Sequence, residues 1–164
     1  MFNLRDPLCD VPYLRLRRKE AKRMEISGSD LQQLNDNPLY QTLGIRLEEA
    51  RDGKARSCLI PNPNVCWPFP GQVHGGILAT VMDTTMAWAV FSKLERSLTC
   101  PTINLDIQYI HPAKQPPLYC HAETSQYTRR LGFARSEIRS ADGQILAAGQ
   151  ATFRIVRAMP GSGS

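Results

Sequence analysis

No two cysteines in this chain follow the CxxC spacing, and the five present (Cys9, Cys58, Cys66, Cys100 and Cys120) are scattered and odd in number. That pattern argues against a disulfide framework and for reduced thiols, which predicts a cytoplasmic protein. The three histidines, His74, His111 and His121, lack metal-ligand spacing, so no metal is expected. The first residues hold no uninterrupted apolar leader, and Asp6 and Asp10 speak against a transit peptide. Long hydrophobic runs are scarce too. The single candidate span, residues 75–94, carries Asp83, Lys93 and several hydroxyls and is followed by strand-like segments, so no membrane association is expected. The net charge of +5 is gathered largely in the first 25 residues, where Arg5, Arg15, Arg17, Arg18, Lys19, Lys22 and Arg23 outnumber four acidic residues. A phosphate-bearing ligand would suit such a run, but a solvated helical face explains it more simply. Without interleaved aromatics for base stacking, no nucleic-acid partner is expected.

At 164 residues and 42% hydrophobic, the chain can bury one core large enough to stand without disulfides. Residues 1–36 read as a polar, basic N-terminal extension, closing with a short helix capped by Ser29 or Asp30. Residues 158–164 have the composition of a disordered tail. Between them, Asn37-Pro38 reads as the cap and first residue of a short helix that Gly44 stops. A hairpin is predicted from residues 45–50 and 54–60 around Asp52-Gly53. Pro61, Pro63, Pro68 and Pro70 then predict an irregular loop up to Val73.

Residues 75–94 read as a buried helix, because apolar side chains lie in nearly every direction around its axis. Residues 101–112 alternate, with Ile103, Leu105, Ile107 and Tyr109 on one face and Thr102, Asn104, Asp106 and Gln108 on the other, the period of a half-buried strand. Residues 118–130 and 133–140 read as strands around Gly132, and Asp142-Gly143 turns the chain into a last strand over 145–156. An antiparallel sheet wrapped around one long helix, of α+β class, satisfies this order.

The most informative stretch is His74-Gly75-Gly76 at the start of that helix, with Asp83 the sole acidic residue among its apolar neighbours. An unpaired carboxylate in such surroundings costs several kcal/mol, so Asp83 is paired, protonated or turned to a polar cleft. Cys120 and His121 are adjacent on a strand and point to opposite faces, which argues against a working Cys-His pair.

The element order, the His-Gly-Gly tripeptide, Asp83 nine residues after His74, and the strand ending Tyr109-Ile110-His111-Pro112-Ala113 together resemble the hotdog-fold acyl-CoA thioesterases of the phenylacetate-degradation type. The resemblance covers residues 37–157 and implies hydrolysis of acyl-CoA to free acid and CoA without a cofactor. By position it implies that the backbone amides of Gly75 and Gly76, at the positive end of the helix, polarise the thioester carbonyl. It implies that Asp83, held by Thr102, acts as general base or nucleophile across the interface of a homodimer that pairs further into a homotetramer. Substrate would be held by His74, Gln72, Asn64, Met82 and Met86, and the CoA phosphates by Arg129, Arg130 and Arg135.

Each of these residues also has a plainer role. His74 closes a loop, Met82 and Met86 fill core, the arginines solvate a strand edge, and Asp83 pairs with an arginine or caps another helix. One departure stands out: the family commonly has Asn or Gln six residues before the histidine, where this chain has Pro68. Proline cannot donate a hydrogen bond. Its presence favours the alternative of an acyl-CoA-binding hotdog module without turnover. A hydratase on the same fold is disfavoured, since Asp36-Asn37-Pro38-Leu39-Tyr40 lacks the required histidine.

Overall fold

The computed structural model describes residues 26, 28–66 and 71–158. The basic run through residue 25, Pro68 and the tail from residue 159 lie outside the described residues. Helix α1 (Gly28–Asn35) is followed by α2 (Pro38–Leu43), capped as expected: the Asn37 side chain accepts the Leu39 N–H at 2.9 Å, and Gly44 ends the helix at φ +76°. Glycine is needed there for a second reason, because a Cβ would stand 1.8 Å from the Ile60 carbonyl oxygen. Strands β1 (Ile45–Arg51) and β2 (Lys54–Leu59) form the hairpin around Asp52-Gly53, both at positive φ.

The proline-rich segment is not wholly irregular, since residues 63–66 make one turn, α3 (Pro63–Cys66), which Pro63 can open because the first helical position needs no N–H partner. The central helix α4 (Gly75–Phe91) stops three residues short of the expected end. Ser92 causes this: its hydroxyl donates to the Ala89 carbonyl at 2.8 Å and accepts the Gly53 N–H at 2.7 Å, while Lys93 and Leu94 close tighter turns onto Val90 and Phe91.

After the two-residue β3 (Leu98–Thr99) come β4 (Thr102–Tyr109), β5 (Leu118–Tyr127), β6 (Leu131–Arg139), β7 (Ile145–Arg154) and the short β8 (Val156–Arg157). Six strands form one antiparallel sheet in the order β1-β2-β5-β6-β7-β4, and β3 pairs with β8. The sheet curls around α4, whose Leu78, Val81, Met82, Met86, Ala89 and Val90 are buried with Leu47, Leu118, Ile138, Ala147 and Phe153. This is the α+β arrangement expected from the sequence. The buried hydroxyl of Thr85 is satisfied within that layer by the Val81 carbonyl (2.6 Å) and the Ser57 hydroxyl (2.9 Å).

Gly132 lies inside β6 rather than in the turn before it. The turn is made by Thr128, whose Oγ1 accepts the N–H groups of Arg130 (3.2 Å) and Leu131 (3.0 Å). Gly132 instead makes room for the helix, because a Cβ there would come within 2.7 Å of Val90 Cγ1. Gly132→Ala is expected to destabilise the protein by about 1–3 kcal/mol, the usual cost of overpacking, with urea unfolding as the readout. An unchanged unfolding midpoint would show that Val90 moves aside freely.

The two sheet edges are unlike. At β1 the edge is covered, since the Asn35 side chain at the end of α1 bonds both the N–H (2.7 Å) and the carbonyl (2.9 Å) of Leu47. Among the described residues strand β4 has one neighbour only, and its apolar row is less buried than the alternation predicts: Leu105 and Ile107 are half-buried, whereas Ile103 is 57% and Tyr109 55% exposed.

Candidate active site

The start of α4 is built from two side chains meeting two glycines. His74 takes the extended conformation of an N-cap (φ −64°, ψ 137°), and its Nδ1 accepts the Gly76 N–H at 3.0 Å. From the other side the Tyr109 hydroxyl donates to the Gly75 carbonyl at 3.0 Å, with the phenol ring 3.2 Å from where a Gly75 Cβ would stand. Both glycines are therefore pressed by aromatic rings, and bare backbone is what fits. The Gly76 amide, expected to polarise a carbonyl together with that of Gly75, donates to His74 Nδ1, because a ring nitrogen two residues away satisfies one of the orphan donors of a helix start. Among the described residues the Gly75 N–H has no partner, and it lies at the positive end of a 17-residue helix.

Two turns further along α4, the half-buried Asp83 carboxylate accepts the Thr102 hydroxyl through Oδ1 at 2.8 Å. Among the described residues it makes no ion pair. Its charge reaches two buried neighbours. Burial first, and then Asp83, pushes the Cys100 thiol up to about 12. Tyr40 is likewise raised, chiefly by burial, and its hydroxyl accepts the Trp88 indole N–H at 2.8 Å. Cys120 is pushed up to about 12 by burial, and Cys58 is raised for the same reason. These three thiols stay protonated near neutral pH and are poor nucleophiles. His121 lies exposed on the sheet face away from α4, its pKa lowered by partial burial and by Arg56 and Arg139, with no contact to the helix start. Among the described residues no three His, Cys, Asp or Glu side chains gather as a metal requires.

Of the other expected site residues, Met82 and Met86 are fully buried between α4 and the sheet, because the helical period turns them away from the half-exposed stripe of Gly76, Thr80, Asp83, Ala87 and Phe91. In this structure both side chains form part of the core. Asn64 and Gln72 are exposed on either side of residues 67–70, Asn64 on α3 and Gln72 beside Val73, whose N–H donates to the Ala113 carbonyl at 2.9 Å. Arg129 and Arg130 stand at the exposed tip of the β5–β6 hairpin, in an open depression they line with Thr128 and Leu131. That tip is close to Thr102: the Ile155 N–H donates to the Arg130 carbonyl and the Arg154 N–H to the Pro101 carbonyl, both at 2.8 Å. Arg135 is elsewhere, ion-paired to Glu123 across the register of β5 and β6. Opposite charges directly across two strands attract, and that pairing removes it from the basic tip.

Sequence reasoning gave no role to Tyr109, although it lies within the quoted Tyr-Ile-His-Pro-Ala run, nor to Tyr40. An aromatic at the end of an alternating strand reads as one more apolar residue, and its contact with Gly75, 34 positions away, is a property of the fold.

No helix among the described residues is long and apolar enough to cross a membrane. Residues 70–147 match the thioesterase superfamily. A protein of Halobacterium salinarum described as a candidate esterase is 30% identical over 134 residues, covering 76% of this chain and 88% of its own length. A Ralstonia eutropha protein described as a candidate thioesterase related to phenylacetic acid degradation is 28% identical, with a TM-score of 0.65 over 72% of this chain and 89% of its own. A thioesterase of Haemophilus influenzae superposes with a TM-score of 0.77 over 85% of this chain and 97% of its own; at 17% identity it speaks for the fold alone. Sequence relationship and architecture agree, and the chain belongs to the thioesterase superfamily, built on the hotdog fold.

Proposed function

We propose that the protein hydrolyses acyl-CoA thioesters at sites shared between the two subunits of a homodimer. The observation that carries this reading is the Asp83 carboxylate, held by Thr102 at 2.8 Å on the helix whose first N–H, that of Gly75, has no partner among the described residues. Hydrolysis needs a base for water and a donor for the developing oxyanion, each within about 3 Å of its target. Within one subunit the two are too far apart, since eight residues of α-helix span about 12 Å.

A second copy resolves this. The exposed β4 edge, with Ile103, Tyr109 and Ile110 outward, is a template for antiparallel pairing. Two copies joined there about a two-fold axis at the strand centre bring Thr102 beside Tyr109 of the partner subunit. Asp83 then faces Gly75 of the partner subunit. The carboxylate takes a proton from water, the hydroxyl oxygen bonds to the thioester carbon, the C–S bond breaks, and the sulfur leaves with the proton as CoA thiol. Direct attack by Asp83 followed by hydrolysis of the anhydride balances equally. Neither route calls for a cofactor. Pairing of dimers into a tetramer, a cytoplasmic setting, and a substrate class shared with the phenylacetic acid-related relative are further parts of the proposal.

The arginines divide in this reading. Arg129 and Arg130, beside Pro101-Thr102, suit the CoA phosphates, and loss of one charge-assisted contact, about 1.5–3 kcal/mol, should raise KM at least tenfold in Arg129→Ala or Arg130→Ala. Arg135→Ala should change KM little, because Glu123 already occupies that side chain. Steady-state kinetics at two salt concentrations checks this, and equal effects at all three positions would contradict it.

The test of the reaction itself is a panel of acetyl-, hexanoyl-, palmitoyl- and phenylacetyl-CoA assayed with a thiol-trapping reagent. Release of CoA supports hydrolysis. Binding without release supports the non-catalytic module, the reading that Pro68 favours.

A further inference from the structure

The peptide unit between Gly75 and Gly76 is gripped at both ends. Its carbonyl oxygen accepts the Tyr109 hydroxyl at 3.0 Å, and its N–H donates to His74 Nδ1 at 3.0 Å. The neighbouring unit, which carries the Gly75 N–H that has no partner among the described residues, pivots on the Cα that this gripped plane holds. Two planar units sharing one Cα have only φ and ψ between them, so fixing one plane narrows the direction of the next N–H. The ring adds a steric wall at 3.2 Å from the Gly75 Cβ direction. Tyr109 is not fixed by local sequence at the helix but by β4, where it pairs with Ala147 of β7 at the exposed end of the strand.

We infer that Tyr109 is a positioning residue, whose hydroxyl fixes the Gly75–Gly76 peptide plane and so aims the Gly75 N–H at the substrate carbonyl. The inference rests on the thioesterase reading above. Tyr109 does not touch the reacting atoms; it acts through Gly75. Because it sits on the edge strand expected to meet a second copy, docking of that copy bears directly on the aim of the oxyanion donor. A hydrogen bond to the carbonyl also polarises the peptide and strengthens the Gly76 N–H as a donor to His74.

Tyr109→Phe in the full chain is the discriminating variant, since it keeps the ring against Gly75 and removes only the hydroxyl. Two readouts are taken: kinetics on the acyl-CoA of the panel that the wild type turns over fastest, and amide NMR with hydrogen exchange on glycine-labelled protein. Loss of one neutral hydrogen bond should lower kcat by about twofold to tenfold with KM and the sedimentation profile unchanged. The Gly76 amide resonance should shift and its exchange quicken about fivefold, while Gly132 and Gly149 stay put. An unaltered kcat overturns the inference, and so does a lowered kcat with an unaltered Gly76 amide. Should the wild type hydrolyse none of the thioesters, the functional reading falls by itself. The amide spectra then decide alone whether Tyr109 holds the peptide plane, and an unshifted Gly76 rejects it.

Discussion

Replacing Asp83 by asparagine is expected to leave a folded protein that still binds acyl-CoA and turns it over at least ~10²-fold more slowly, the scale of losing a positioned general base. The amide is close in shape to the carboxylate, and its oxygen still accepts the Thr102 hydroxyl that now meets Oδ1 at 2.8 Å. The fold therefore has no reason to change. What disappears is the group that takes a proton from water. Isothermal titration with the preferred acyl-CoA, beside a turnover assay, separates the two effects. A folded Asp83→Asn protein working at near wild-type rate would remove Asp83 from the mechanism.

Gly75→Pro should be about as severe, by a different route. Proline is tolerated at the first position of a helix, and His74 already has the extended conformation that a residue before proline prefers. The substitution thus deletes one N–H, the one without a partner among the described residues, at little cost to the helix. Tyr109 must yield by a few tenths of an ångström, since its ring lies 3.2 Å from the Cβ position. Removing one oxyanion donor is typically worth about 10²–10³ in kcat, so hydrolysis should nearly vanish while thermal unfolding shifts only modestly. A Gly75→Pro protein retaining most of its kcat would show that the amide does not face the carbonyl.

The fold was legible where periodicity and punctuation are local. Asn37-Pro38, Gly44, Asp52-Gly53 and Asp142-Gly143 mark their own turns, and the alternation from Thr102 to Tyr109 declares a strand by itself. The errors came where a distant partner decides. Gly132 reads as a turn glycine but serves the packing of Val90, 42 positions earlier, and α4 stops at Phe91 because Ser92 answers to Gly53. Met82 and Met86 could be placed on α4 from sequence, but the side of the helix that the sheet covers emerges only from the fold. At the candidate site, the spacing of His74, the two glycines, Asp83 and Thr102 was visible in the residues. The hydrogen bond that engages the Gly76 amide was not, because it depends on the rotamer that lets His74 Nδ1 reach Gly76. Arg135 was grouped with Arg129 and Arg130 for its charge, and the cross-strand Glu123 that claims it emerges only from the β5–β6 register.

The central claim, a site divided between subunits, is tested most directly by mixing two inactive proteins. Asp83→Asn and Gly75→Pro chains, each purified, are unfolded together and refolded as a mixture, and hydrolysis of the preferred acyl-CoA is measured against each variant refolded alone. In a mixed dimer one of the two sites pairs an intact Asp83 with an intact Gly75 of the partner subunit, so activity should reappear, at about a quarter of the wild-type rate when subunits pair at random. If each site were built within one chain, every site in the mixture would carry one of the two defects. Activity would then stay at the level of the separate variants, and the shared site would be wrong.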